Sequence, residues 1–290
     1  MKRRDFLLAL ALSPALPVRG DTRFERGLLW EVSRKGTPPS HVFGTIHVAD
    51  ARLEKLPEPA QAAFARAASL MLEFVADEYV NERFLEAAMF TDRQTLQEKI
   101  GAEDFERALA QLRPIGLSRE FVDKLKPWGV LINLRDPRAA GGVTPDARLA
   151  AQARARRMPV FRIEGVEEQI FTFDELPMAA QVALLKHSLA HRDELLELSA
   201  RTLEAYLAAD LAAIWRLREA FVQRHPQIAA HQAVMTKRVV HDRSVVMAFR
   251  MQRQLRRGGA FVALGALHLY GDKGVLALLE EDGYAASRVF

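Results

Sequence analysis

Short apolar runs alternate along the chain with longer segments of helical periodicity. Leu28-Leu29-Trp30-Glu31-Val32 and His41-Val42-Phe43-Gly44-Thr45-Ile46-His47-Val48 read as strands. The turn-rich stretch from Arg34 to Ser40 predicts a hairpin with a long loop between them. Pro57 to Ala68 is Ala-rich and reads as helix. Leu70-Met71-Leu72-Glu73-Phe74-Val75 is nearly continuous and apolar, the pattern of a strand buried on both faces.

From Asn81 to Asn133 the pattern is helical, broken at Arg113-Pro114-Ile115-Gly116 and Lys126-Pro127-Trp128. Asp136 to Pro145 reads as a Gly- and Pro-bearing loop. Asp146 to Arg157 predicts a helix, and Met158 to Glu164 a strand. Pro177 to about Arg224 and Ile228 to Arg257 predict two long helices. Phe261-Val262-Ala263-Leu264-Gly265 predicts a buried strand and Asp272 to Glu281 a helix, stopped by Gly283. Ala285 to Phe290 closes as a strand.

Strands alternating with helices predict an α/β fold: a central mixed β-sheet flanked by helices, fed from both chain ends. Helical insertions at about 80–145 and 175–225 fall between the two halves. The segment 24–290 reads as one domain, since no low-complexity linker divides it.

Composition narrows the chemistry. With 290 residues and 49% hydrophobic content the chain can bury a sizeable core. The absence of cysteine removes disulfides, thiolate metal sites and cysteine nucleophiles. A metal here must therefore be held by His and carboxylates. The formal charge is +4, but removing Lys2, Arg3, Arg4, Asp5 and Arg19 leaves 37 basic against 36 acidic residues. A body so nearly neutral carries no electrostatic case for nucleic-acid binding.

The basic start, the short apolar run to about Val18 and the polar break that follows have the layout of an export signal over residues 1–20. Arg3-Arg4-Asp5-Phe6-Leu7 resembles the bacterial twin-arginine signal. The run is shorter than the ~18–20 residues that span a bilayer as a helix, so no stable membrane span is expected in the mature chain. The expected location is the periplasm or the medium.

One internal echo bears on function. Gly44-Thr45-Ile46-His47 and Gly265-Ala266-Leu267-His268 each follow an apolar strand. A Gly at a strand end permits a turn or a close approach, and a His three residues on then sits at the rim where α/β sheets bind ligands. Glu73 interrupts an apolar strand, and Glu164 closes another in the same way. A buried carboxylate needs a cation, a donor or a proton. Two His and two Glu suit a divalent ion that activates water, with a carboxylate free for proton transfer.

Other residues read more plainly. His187 and His191 share a helix face at i, i+4 but lack the Glu of H-E-x-x-H, and read as a solvated face. His41 reads as structural or edge-exposed, and His225, His231 and His241 as surface. The chain has no phosphate-binding loop, dinucleotide fingerprint or G-x-S-x-G.

Phe43-Gly44-Thr45-Ile46-His47-Val48 resembles the opening motif of the TraB/PrgY/GumN family, which includes the Tiki metalloproteases. Leu29-Trp30-Glu31-Val32 is similar to the strand before it. Phe261 to Gly274, with Val275 to Leu279 and Gly283-Tyr284, is similar to the family's C-terminal motif. Lys126-Pro127-Trp128 resembles a KPW element of its bacterial members, and Asp146 to Glu164 a helix–strand segment ending in a family Glu.

The resemblance implies His47, Glu73 and His268 as metal ligands, with Glu73, Glu164 and Arg243 in catalytic roles. Arg243 matches an Arg often followed by Asn; here Ser244 follows. The implied cofactor is a divalent metal, Mn or Co by the resemblance, with Zn or Fe also compatible with the donors. The implied activity is hydrolysis of a peptide or protein substrate, with Glu164 as base or further ligand and Arg243 facing an oxyanion. The alternatives are an envelope protein that binds a peptide or signalling ligand without turnover, and an accessory factor in exopolysaccharide production.

Overall fold

The computed structural model describes residues 24–48, 50–74, 78–134 and 143–290. The export-signal segment 1–20 and most of the expected loop 136–145 lie outside them. Six strands form one mixed sheet: β1 (Leu29–Arg34), β2 (Thr37–Thr45), β3 (Ser69–Leu72), β4 (Val160–Arg162), β5 (Ala260–Gly265) and β6 (Ala285–Arg288), in the order β4-β3-β5-β2-β1-β6. Strands β4, β3, β5 and β2 run parallel to one another, while β1 is antiparallel to β2 and β6.

The helices are α1 (Glu58–Arg66), α2 (Glu78–Ala87), α3 (Leu96–Ile100), α4 (Ala102–Leu112), α5 (Arg119–Asp123), α6 (Pro127–Asn133), α7 (Pro145–Ala155), α8 (Val166–Asp174), α9 (Met178–Ala190), α10 (Arg192–Leu207), α11 (Leu211–Arg224), α12 (Ala229–Thr236), α13 (Arg243–Leu255) and α14 (Val275–Glu281). A π-helical stretch, Lys237–Asp242, joins α12 to α13.

The apolar runs fill the sheet. Phe261, Val262, Ala263 and Leu264 of β5 are fully buried, as are Leu70 and Leu72 of β3 and Val42 of β2. Burying a Val, Leu or Phe side chain contributes about 1.5–3 kcal/mol, which stabilises the four parallel strands as one sheet. Parallel pairing sets Thr45 opposite Gly265 and Leu72 opposite both Ala263 and Arg162. Four strands therefore end together, on one edge.

A second core lies among the helices, built on Leu96, Phe105, Leu109, Leu112, Trp128 and Leu185. The Lys126-Pro127-Trp128 break anchors it. Trp128 stacks on Phe173 at 5.8 Å, and Trp128 Nε1 and Lys126 Nζ both donate to Asp174 Oδ1, at 2.8 and 2.7 Å. Pro127 opens α6, where a missing N–H costs nothing.

Several expectations need correction. The link between the first two strands is a tight turn at Lys35-Gly36, with Gly36 at φ +79°, and β2 already begins at Thr37. Strand β3 ends at Leu72, so Glu73 stands just past it and Phe74 is not strand. Strand β4 is shorter than expected and leaves Glu164 two residues beyond its end. The long helix from Pro177 is three helices. It breaks at His191 and again before Asp210, whose carboxylate caps α11 by accepting from Ala213 N at 2.7 Å. The second long helix is interrupted by the π-helical stretch.

Candidate metal centre

The common edge of the parallel strands gathers the candidate residues. His47 follows β2 by two residues, Glu73 follows β3 directly, Glu164 follows β4 by two and His268 follows β5 by three. Residues more than two hundred positions apart thus meet at one rim, where open α/β sheets present ligand sites. His47 Nε2 lies 4.0 Å from Glu73 Oε2. A Cβ at Gly265 would stand 3.3 Å from Glu73 Oε2, 3.4 Å from His268 Cδ2 and 3.9 Å from His47 Nε2. The three donor side chains therefore converge on the bare face of Gly265, a space that any side chain there would fill.

Each donor is oriented from behind. Ser244 Oγ donates to Val240 O at 2.7 Å, so its lone pair accepts from His268 Nδ1 at 2.9 Å. That fixes the proton on Nδ1 and leaves the His268 Nε2 lone pair free. On the other side, His47 Nδ1 lies 3.3 Å from Asp146 Oδ2, and Thr45 Oγ1 donates to Asp146 Oδ1 at 2.9 Å. A carboxylate behind an imidazole is the usual support of a metal-ligating His. Asp146 owes its place to the start of α7, where Thr144 caps the helix and Pro145 precedes it. Gly44, before the first His, is closely packed: a Cβ there would meet Leu269 Cδ1 at 2.7 Å and Ala266 Cα at 3.2 Å. Its carbonyl accepts from the buried Tyr206 hydroxyl at 2.9 Å.

Glu73 and Glu164 are both 4% exposed. Arg243 lies between them. Its Nη2 donates to Glu73 Oε1, and its Nε donates to both Glu164 oxygens at 2.9 and 3.1 Å. Gln169 Nε2 donates to Glu164 Oε2 at 3.1 Å, and Gly265 N to Glu73 Oε2 at 2.9 Å. The structure thus brings together all five residues singled out from the sequence. It places Arg243 and Glu164 as a paired unit beside Glu73, with Glu73 between that pair and the two imidazoles. The π-helical stretch before Arg243 and Ser244 sets which helix face carries them.

The electrostatics separate the two histidines. The Asp146 carboxylate beside the ring raises the His47 pKa to about 9, against the opposing effect of burial. Burial lowers His268 to about 4, and the nearby Glu73 charge offsets this only in part. Burial alone would push Glu73 up. The charges of His268, Arg243 and His47 and the Gly265 amide outweigh it and hold the carboxyl at about 2. The site therefore offers an ionised carboxylate, a neutral imidazole and an imidazole whose proton a cation would replace. Two nitrogens and one oxygen around an open space fit a divalent ion of borderline hardness.

Reasoning from the sequence missed Asp146 and Ser244. Asp146 appeared there only as a helix start, and Ser244 only as a departure from Asn. It also misplaced a second group of histidines. His187 and His225 are buried, not solvated, and with His191 they form a cluster whose ligand atoms all lie within 4.8 Å of one another. Such a group could bind a metal. His41 is half-buried and 4.0 Å from Glu31, and His231 and His241 are half-buried.

The chain is 24% identical to Metalloprotease TIKI2 of Danio rerio over 88% of its own length and 60% of that protein's. It is 22% identical to Metalloprotease TIKI2 of Xenopus tropicalis, over 88% of the chain and 58% of the relative. It therefore spans about three fifths of these relatives. Uncharacterized protein YbaP of Shigella flexneri is 25% identical over 83% of the chain and 88% of its own length. No solved structure matches. The family model for TraB/PrgY/gumN runs from residue 28 to residue 288, from the start of the first strand to the end of the last, and the chain belongs to that family.

Proposed function

We propose that this chain is a metal-dependent hydrolase, acting as a peptidase on a peptide or protein substrate. One observation carries the reading: two imidazoles and a buried carboxylate converge on Gly265, with Ser244 hydrogen-bonded to the far nitrogen of His268 and the Asp146 carboxylate 3.3 Å from that of His47. The metalloprotease relatives support the same class of chemistry.

His47 Nε2, Glu73 Oε2 and His268 Nε2 would hold the ion, with Mn or Co favoured and Zn or Fe accommodated by the same donors. A divalent ion in such a site supplies Lewis-acid polarisation of a carbonyl and activation of water. The protein's own part is to prepare the ligands. Asp146 turns Nε2 of His47 toward Glu73, and Ser244 does the same for Nε2 of His268. Arg243 keeps Glu73 ionised and immobile. Glu164 holds Arg243, its two oxygens already engaged, and acts here as a positioning residue. A role for Glu164 as general base requires it to release Arg243, which would then be free to face an oxyanion. The His47 ring is 57% exposed, so the substrate approaches from its side.

The test is a peptide-library cleavage screen on purified protein with and without added Mn, together with elemental analysis. His47→Ala and His268→Ala should abolish cleavage and lose the ion while the circular dichroism spectrum stays folded. Cleavage that survives both substitutions would refute the reading. Retained peptide binding without turnover, in wild type and variants alike, would favour a non-catalytic binding protein.

We further propose export of the folded chain, on the strength of the twin-arginine-like segment 1–20. Among the described residues no helix is long and apolar enough to cross a membrane. Replacing Arg3 and Arg4 by Lys should retain the protein in the cytoplasm, read by cell fractionation.

A further inference from the structure

The second histidine cluster lies away from the strand ends, where three helices meet. His187 is on the last turn of α9, His191 occupies the break between α9 and α10, and His225 ends α11. The three rings are mutual neighbours, with centroids 4.3, 4.4 and 4.6 Å apart. His187 is 8% exposed and His225 6%. His187 Nε2 is buried with no hydrogen-bond partner. A buried polar nitrogen left without a partner is destabilising, so the unsatisfied His187 ring packed against two further imidazoles needs a reason.

Glu194, in the first turn of α10, reaches two of them. Its Oε2 lies 3.0 Å from His225 Nε2, and its Oε1 lies 3.3 Å from His191 Nδ1. Arg224 Nη2 approaches the same carboxylate at 3.8 Å. Phe221 beside the cluster belongs to a small apolar core with Leu184 and Ile228. Phe221 lies against both His187 and His225.

We infer that His187, His191 and His225, with Glu194 beside them, form a second metal site, selective for a nitrogen-preferring transition ion such as Zn²⁺, that ties α9, α10 and α11 together. Zinc–nitrogen bonds of ~2.0–2.1 Å place tetrahedral ligand nitrogens about 3.3 Å apart. The nitrogens already lie within 4.8 Å, so small ring rotations close the site. Three imidazoles favour Zn²⁺, Ni²⁺ or Cu²⁺, whereas Mn²⁺ prefers oxygen ligands. This site therefore differs from the strand-end centre in donor set and in the metal it prefers. The ion would close a broken helix: the unpartnered nitrogen sits one turn before the break at His191.

The inference does not depend on the proposed hydrolase activity, and its test keeps them apart. The full chain carrying His47→Ala and His268→Ala is dialysed against a chelator, then titrated with Zn²⁺ and with Mn²⁺. One equivalent of Zn²⁺ should bind, with at least tenfold weaker binding of Mn²⁺, and the thermal midpoint should rise with added Zn²⁺. Co²⁺ in the same protein should give the visible bands of a tetrahedral nitrogen site. Adding His191→Ala, at the half-buried position, should weaken Zn²⁺ at least tenfold while circular dichroism stays unchanged. If the background variant binds no Zn²⁺, or if His191→Ala and His225→Gln leave its affinity intact, the second site does not exist.

Discussion

Two histidine groups in this molecule sit in opposite surroundings. At the strand ends each imidazole has a polar group of its own against its far nitrogen: the Asp146 carboxylate at 3.3 Å from His47, and a hydrogen bond to Ser244 for His268. The carboxylate between them is fixed by Arg243 and by the Gly265 amide. At the helix junction one carboxylate, Glu194, serves two rings, and His187 Nε2 has none. The first group is pre-organised and opens to solvent at His47; the second is held by packing and closes on itself. Pre-organisation with an open side suits chemistry, and an enclosed set of nitrogens suits a staple.

The largest effect should come from the support of the first group. Arg243→Leu leaves the buried carboxylates of Glu73 and Glu164 without their shared guanidinium. Breaking a buried pair from one side typically costs 3–5 kcal/mol, and urea unfolding of the metal-free protein should show a loss of about that size. Adding Glu73→Gln and Glu164→Gln to that variant should recover most of it. An Arg243→Leu protein as stable as wild type would erase the contrast between the two regions.

Next come the partners behind the rings. Asp146→Asn and Ser244→Ala should each lower metal affinity or turnover about 10–100-fold, the usual effect of such changes, without unfolding the chain. Equilibrium dialysis and steady-state rates read this. By contrast, Glu194→Gln should leave turnover unchanged, since Glu194 lies at the helix junction; a fall in kcat would couple the two regions.

A smaller effect is expected where the fold, and not the donors, is touched. Tyr206→Phe removes the hydrogen bond to the Gly44 carbonyl that steadies the end of β2. A net loss of about 0.5–1.5 kcal/mol is expected, visible as a shift in the denaturation midpoint. A loss of several kcal/mol would mean that the end of β2 is under greater constraint than its packing indicates.

The strand-end group was legible in the sequence because its framework is local. Phe261 to Leu264, Leu70 to Leu72 and Val42-Phe43 are short apolar runs that can only be buried strands, and a Glu or a Gly-spaced His at the end of each is visible by eye. Parallel pairing then brings those ends together. The partners were not legible. Asp146 looks like any acidic residue in a first helical turn, and Ser244 points at His268 only because the π-helical stretch sets its face. Arg243 came from family resemblance, not from pattern. The junction cluster was misread because i, i+4 polar residues on a helix normally face water. His225 reaches His187 and His191 only after α9, α10 and α11 separate at His191 and before Asp210. Apolar periodicity runs through both breaks without a signal.

The central claim is that His47, Glu73 and His268 share one ion. The most direct test is a crystal of the protein grown with Mn²⁺ and measured at the manganese edge. The account predicts an anomalous peak within bonding distance of His47 Nε2, Glu73 Oε2 and His268 Nε2, beside Gly265. A fully ordered site with no peak there, or Mn²⁺ bound elsewhere in a protein that still cleaves peptides, would contradict it.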